Sequence, residues 1–291
     1  MIEQALHQHL RDQEALLPFL ADYGDHLAVF NQEAPADTDE GWGEGPQYGR
    51  IVFAVDLQGN PERIMGGMLA VDILCKGDEQ APEDIEPILR DLIHGYFFSN
   101  DTFVVSAQWK NTSYFTETPN QVIGCTVAFD LLAFPISTYA PHVIHQFNEW
   151  CSTIEKIHVI NHDPLPAPAW KPCNGESAVY WRAAKETPNS RIQNTFATIW
   201  MTATVRGYVF SETPASAAAV SNDIMVRLYA IKRLKKDGKL LRAGESPIMV
   251  NWRNTVDNNA DPLMVGQLTV EAVYGVPVYY ETDDVIQYIH K

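Results

Sequence analysis

Nine histidines, four cysteines and 37 carboxylates could do chemistry in this chain, and their spacing decides how little of it they can do. His142 and His145 stand three apart, so on a helix they share a face and could offer two ligands to a metal ion. Glu149 alone does not complete such a site. His158 and His162 are four apart, but the Pro-rich run after them, DPLPAPAW, argues against a helix. The acidic run Asp37-Thr38-Asp39-Glu40 has the charge of a calcium loop without its ligand spacing or closing Glu, and reads as a solvated loop. The chain has no P-loop, no dinucleotide-binding glycine run, no HExxH and no GxSxG. No nucleophile is placed beside a base, and no carboxylate pair has a reason for split pKa values. The expectation is a protein that is not an enzyme and holds no metal and no cofactor.

Aromatic and basic groups leave two further options. Trp109 and Trp252 could stack on a ligand, but each ends an apolar strand, so both read as structural anchors of the core. The basic run from Lys232 to Arg242 could meet phosphate, yet cations at a helix C-terminus account for most of it.

Those two tryptophans lead to the elements around them. FVVSAQWKNTSYFTETPNQVIGCTVAFDLLAFP (103–135) and PIMVNWRNTVDNNADPLMVGQLTVEAVYGVP (247–277) read alike. Each is an apolar strand ending in Trp-(Lys/Arg)-Asn-Thr, a polar turn with a Pro, an alternating strand with Thr-Val, and a final Pro. The likeness extends upstream, where Arg63-Ile64 matches Arg191-Ile192 between two strands, and a turn and a helix follow. Ile64 lies 45 positions before Trp109, and Ile192 lies 60 before Trp252; a longer helix and the loop LKKDGKLLRAGESP take up the difference. Further upstream, Val29-Phe30-Asn31 and Val159-Ile160-Asn161 each follow a helical stripe and precede an irregular stretch with one Trp, Trp42 or Trp170. A repeat of this size points to one unit built twice.

The unit reads as helix, short strand, long loop, two strands, helix, hairpin. Ile2, Ala5, Leu6, Leu10, Leu16, Leu17 and Leu20 form one N-terminal stripe; Val143, Phe147, Trp150 and Ile154 form the other. Ala197, Ile199, Met201, Ala203 and Val205 alternate with polar residues, as in a half-buried strand. Thr213-Pro214 starts a helix with the face Val220, Ile224, Leu228 and Ile231, and Gly238 stops it after Lys232–Lys236. Ile85, Ile88, Leu89 and Leu92 make the matching earlier face. Pro87 would remove a hydrogen bond there, so that helix is expected to start late. The fold class is α+β: two tandem similar domains, each a mainly antiparallel sheet with an N-terminal helix and a helix packed on one face. The prolines of Pro135-Ile136-Ser137-Thr138-Tyr139-Ala140-Pro141 place the boundary, giving domains 1–137 and 138–291, the second with an extension at 278–291.

Charge separates the two halves. Residues 1–135 hold 22 acidic and 6 basic side chains, a balance of −16, whereas residues 136–291 hold 15 of each. Such an acidic half does not bind nucleic acid through counterion release. It suits a conduit that nucleic acid must not stick to. No apolar run reaches the ~20 residues of a membrane helix. The N-terminus lacks a signal-peptide core, and the four cysteines show no CxxC spacing, with Cys75 and Cys125 in expected strands. The reading is of a chain folded in a reducing cytoplasm.

The first repeat resembles the tail terminator, or tail-completion, proteins that join head and tail in long-tailed phages. The residues that carry the resemblance are the N-terminal helix MIEQALHQHLRDQEALLPFL, the short strand and long Pro/Gly loop from Val29 to Gln47, and the strands Ile51–Asp56 and Met68–Cys75. The helix Ile85–Ile93 and a hairpin ending in Val127–Leu132 follow. It covers residues 1–135, and the rest more weakly; the duplication departs from a family of single-domain chains. The resemblance implies a virion protein assembled in the host cytoplasm. It implies a self-associated ring, hexameric, that caps the tail tube protein, docks the head connector and passes DNA through its lumen.

Surfaces that would meet partners follow from loop lengths. The 33–47 loop, with Asp37, Asp39, Glu40, Trp42 and Glu44, is about 15 residues long, and ordered loops of that length are usually functional. It is expected to be ordered by a partner. The polar hairpin tips 113–120 and 256–261 add Glu117, Asn120, Asn258 and Asp261. Two other readings stay open. One is a trimeric tail hub whose paired domains make a pseudo-six-fold ring. The other is an α+β enzyme or ligand-binding protein whose site no motif encodes.

Overall fold

A computed structural model describes residues 2–57, 65–77, 80–99, 103–117, 121–135, 142–195, 198–230, 248–249, 254–257 and 266–277. The chain is mixed α and β, with four α-helices among the described residues. In chain order the elements begin α1 (Ile2–Arg11), β1 (Asp22–Tyr23), β2 (His26–Leu27), β3 (Val29–Asn31), β4 (Arg50–Leu57), β5 (Met65–Lys76) and α2 (Pro82–Ile93). Then come β6 (Phe97–Ser99), β7 (Phe103–Glu117), β8 (Val122–Pro135), α3 (His142–Cys151), β9 (Ile157–Val159) and β10 (Ala169–Trp170). The rest are β11 (Ser177–Pro188), β12 (Thr198–Ser211), α4 (Pro214–Ala230), β13 (Ile248–Met249), β14 (Asn254–Val256) and β15 (Leu268–Pro277). They gather into two compact units, one of residues 1–137 with 163–174, the other of 138–162 with 175–291.

The first unit is a sheet ordered β10-β6-β7-β8-β5-β4-β3. Only β3 runs parallel to its neighbour β4. Alternation explains the core: Leu69, Val71, Ile73 and Cys75 on β5 and Cys125, Val127 and Phe129 on β8 are buried under α1 and α2. α1 supplies Ile2, Leu6 and Leu10, four apart and on one side. It ends at Arg11, so the expected single stripe to Leu20 is not one helix. The Gln13 amide turns back to donate to the His9 carbonyl at 2.9 Å. Leu17 caps the short turn that follows and is 58% exposed. Leu16 and Leu20 still reach the core from a short 3-10 turn and the bend after it.

α2 also departs from expectation, because it starts at Pro82 rather than late. Pro82 takes the first helical position, Glu83 and Asp84 fill the first turn, and Ile85, Leu89 and Ile93 pack inward. Pro87 is carried inside the helix on its exposed side. Segment 163–174, which the sequence assigns to the second domain, packs with the first unit. There Trp170 lies 5.9 Å from Phe97, which in turn meets Phe134 at 5.8 Å, and the Ser99 N–H donates to the Pro168 carbonyl at 2.9 Å.

The second unit is ordered β13-β15-β12-β11-β9, with β14 also on β15, and β9 parallel to β11. Val143, Phe147 and Cys151 of α3 and Ile224 and Leu228 of α4 meet Val179, Trp181, Ala203, Val205 and Val270. Ile154 joins this core from the turn after α3. The expected alternation on β12 holds at Ala203 and Val205, both 0% exposed, while Ile199 near the strand's start is 38% exposed. Thr213 and Ser216 cap α4 reciprocally, the Ser216 N–H donating to Thr213 Oγ1 at 3.1 Å and the Thr213 N–H to Ser216 Oγ at 3.0 Å. Positions 231–238, the expected end of this helix, and the extension 278–291 lie outside the described residues. Trp181 lies across from Gly207 on β12, where a Cβ would come within 2.6 Å of its ring, so this pair needs glycine.

Gln267 closes the end of this sheet. Its buried amide donates to the Val209 carbonyl at 2.8 Å and accepts from the Val209 N–H at 2.9 Å, taking the place of a strand. Gln267→Leu leaves both backbone groups of Val209 buried without partners, each costing about 1–3 kcal/mol. The unfolding free energy of the second unit is expected to fall by about 2–6 kcal/mol, and its urea midpoint with it. An unchanged midpoint would show that water or another group takes over.

Candidate functional site

The long acidic loop holds itself. Trp42 is 3% exposed and packs with Ala21, Ala28, Tyr23 and Phe30 in a small satellite core. Its indole N–H donates to the Ala36 carbonyl at 2.9 Å, folding the loop back on itself. Tyr23 meets Trp42 edge-on at 5.0 Å and Phe30 at 5.3 Å. Trp42 is therefore an anchor rather than a displayed contact residue. The loop that its length assigns to a partner is ordered by its own side chains.

Two of the carboxylates expected to face outward are tied down as well. Asp39 accepts from the Gly41 N–H at 2.9 Å, capping the turn Glu40–Trp42, and from the Tyr23 hydroxyl at 2.7 Å. Those donors, the Gly41 N–H first, hold its carboxyl below the usual value, and the same bond pushes the Tyr23 phenol up. Asp37 accepts from Arg50 at 2.8 Å and from the Tyr48 hydroxyl at 3.1 Å. The Arg50 guanidinium lies 4.7 Å from the Tyr48 ring centre and 5.7 Å from that of Trp42. Glu40 and Glu44 are the members of the set that remain exposed at the tip, next to Asp37 and Asp39, which are exposed but engaged.

Trp109 departs from its reading as a core anchor. It is 41% exposed, not buried. A bulge at Lys110 shifts the β7–β8 register between Trp109 and Asn111, and the indole lies against the Arg90 guanidinium of α2 at 5.1 Å. A network lines this margin. The Glu86 carboxylate, 7% exposed, accepts from the Thr112 hydroxyl at 2.8 Å and from Arg90 at 3.4 Å. The Trp109 N–H donates to His94 Nδ1 at 3.0 Å, and burial, then Lys171 and Arg90, lower the His94 pKa. The spacing of Glu86 and Arg90, four apart, was a legible signal of this pairing; the bulge was not.

Other expected contact residues are scattered. Glu117 ends β7 opposite Val122. Asn120, Trp252, Asn258 and Asp261 lie outside the described residues. His145 is exposed on α3, and no group of three or more His, Cys, Asp or Glu that could hold a metal occurs among the described residues. Cys75 and Cys125 are buried strand residues whose thiols burial pushes up to about 11 and about 12, so neither is a ready nucleophile. Among the described residues no helix is long and apolar enough to cross a membrane. The chain matches no protein family, no curated protein and no solved structure.

Asp39 offers a direct check on the loop. Its folded pKa is lowered, so the order it confers is present above the unfolded value of about 3.8 and is lost as the pH falls through the folded value. In an NMR titration the Gly41 amide proton is expected to move upfield with a midpoint below 3.8. Asp39→Ala is expected to abolish that transition and speed Gly41 amide exchange at neutral pH. A midpoint at or above 3.8 would remove the cap from the account.

Proposed function

We propose that this chain is a structural protein of the neck of a long-tailed phage. It forms a ring that ends the tail tube, joins the tail to the head connector and lets DNA pass through its lumen. On this reading it catalyses nothing and needs neither metal nor cofactor. It belongs to the virion, is assembled in the host cytoplasm, and contacts itself, the tail tube protein and the connector.

The observation that supports the reading most is the threading of the two units. In the first, β3 is parallel to β4, and β5, β8 and β7 follow antiparallel; in the second, β9 is parallel to β11, and β12, β15 and then β13 or β14 follow antiparallel. A helix precedes each short parallel strand, and another joins the second long strand to the hairpin. One unit built twice in tandem accounts for both halves, as the Trp-basic-Asn-Thr repeat suggests. Repeated units with open sheet edges suit assemblies in which chains meet neighbours around an axis.

Charge supports the conduit. The −16 balance falls in residues 1–135, and exposed Glu83, Asp84 and Asp91 on α2 join Glu40 and Glu44 of the loop tip. Like charges gathered around a ring repel, and salt screens them over about 8–10 Å. A wall that DNA must slide past uses that charge. The same threading favours a second reading, a trimeric hub in which six units from three chains surround the axis.

Light scattering after size exclusion separates the readings. A ring terminator is expected near six times 32.7 kDa, with the population growing as salt screens the acidic half. A species near three times 32.7 kDa supports the hub. A strict monomer at tens of micromolar in low and high salt would overturn both.

A further inference from the structure

We propose that the uncovered side of α4 in one copy docks on the uncovered sheet face of the first unit in the next copy, joining chains head to tail. The proposal rests on the ring reading and names the contact that would build the ring. α4 turns Ile224, Met225 and Leu228 into its own core. Its opposite side is largely apolar: Val226 is 66% exposed and Tyr229 59%, with exposed Ala215 and Ala219 in line with them, and only the exposed Asn222 interrupts the stripe. A helix apolar on both sides has a second face to cover. The exposed side of α2 is different, carrying Glu83, Asp84 and Asp91.

The matching surface is the part of the first unit's far sheet face formed by β4, β5 and the middle of β8; toward β6 that face is closed, with Ser106, Leu132 and Phe134 buried. Where Leu69, Val71 and Ile73 face the helices, Met68 and Ala70 face away, and Met68 is 45% exposed. Ala54, Ala70 and Ala128 stand side by side on three adjacent strands, a row of small side chains that lets a helix approach closely. Helix on sheet is the ordinary way to cover such a face.

Each surface is flanked by an ion pair of its own, and the two pairs can exchange partners. Asp56 and Asp130 stand on either side of Met68 in the register, and Lys110 reaches Asp130 at 2.9 Å. Beside Val226, α4 presents Arg227 and Asp223, paired at 2.8 Å and about half exposed. Arg227 suits the aspartates, and Asp223 suits Lys110. Because the two faces differ and belong to one chain, the contact is heterologous and can close into a ring. Pairing two α4 faces would stop at two chains and leave the sheet face bare.

Two full-length variants test this, Val226→Asp with a spoiled helix face and Met68→Asp with a spoiled sheet face. Each alone is expected to run as a monomer in light scattering, with the wild-type far-UV circular dichroism spectrum and a cooperative thermal melt. Mixed at equal, tens-of-micromolar concentration they are expected to form a two-chain complex and nothing larger, since one intact α4 and one intact sheet face remain. Tyr229→Asp and Ala54→Asp repeat the experiment if either first variant misfolds. A mixture that stays monomeric, or variants that assemble like wild type, overturns the contact while an assembled wild type keeps the ring reading. A two-chain wild type broken by Val226→Asp and untouched by Met68→Asp also overturns it, because α4 then pairs with itself. A wild type that never assembles defeats the ring reading as well.

Discussion

Each unit depends on burying one face of an antiparallel sheet under two helices. In the first, Leu69, Val71, Ile73, Val127 and Phe129 close against Leu6, Leu10, Ile85 and Leu89. In the second, Val179, Trp181, Val205 and Val270 close against Phe147, Ile224 and Leu228. Full burial of each such side chain is worth about 1.5–3 kcal/mol. Two short helices cover only one side of strands as long as β5, β8 and β12. The period of two therefore sends every second residue to a face the chain's own helices leave uncovered. The chain itself closes part of that face, burying Phe97, Leu132 and Phe134 in the first unit and Ala178, Tyr180 and Tyr208 in the second, while Ala54 and Met68 stay exposed.

Electrostatics adds a second constraint. The acidic groups of the first unit are spent in different ways. Asp37 and Asp39 hold the long loop through Arg50, Tyr23 and the Gly41 N–H. Glu86 is buried and knits α2 to β7 through Thr112. Glu40, Glu44, Glu83, Asp84 and Asp91 stay exposed. An acidic composition thus divides into carboxylates that build the unit and carboxylates that only charge its surface. On the proposed reading, the second group meets the DNA path or the tube.

Much of this was legible in the residues, and the exceptions have physical causes. Strand alternation and the Thr213-Pro214 start of α4 follow from local chemistry that long elements obey. Short elements and tertiary contacts are where local rules lose. The N-terminal stripe continues past Arg11 although the helix does not, because Leu16 and Leu20 find the core from a 3-10 turn and a bend. Trp109 sits on the core-facing side of β7, yet a one-residue bulge and the end of α2's cover leave it half in solvent. Trp42 sits among acids and glycines but is the residue the loop folds around. Segment 163–174 follows the second unit's first helix in sequence, yet Trp170 finds its aromatic partners in Phe97 and Phe134 of the first unit. In each case the deciding contact is remote in sequence, and no window of neighbouring residues contains it.

The central claim is a ring around a passage. Negative-stain electron microscopy of the purified full-length protein, alone and mixed with polymerised phage tail tubes, tests it most directly. The account predicts closed rings with a central opening, and tubes that carry one such ring at an end. Isolated two-lobed particles in both samples, with bare tube ends, would contradict it.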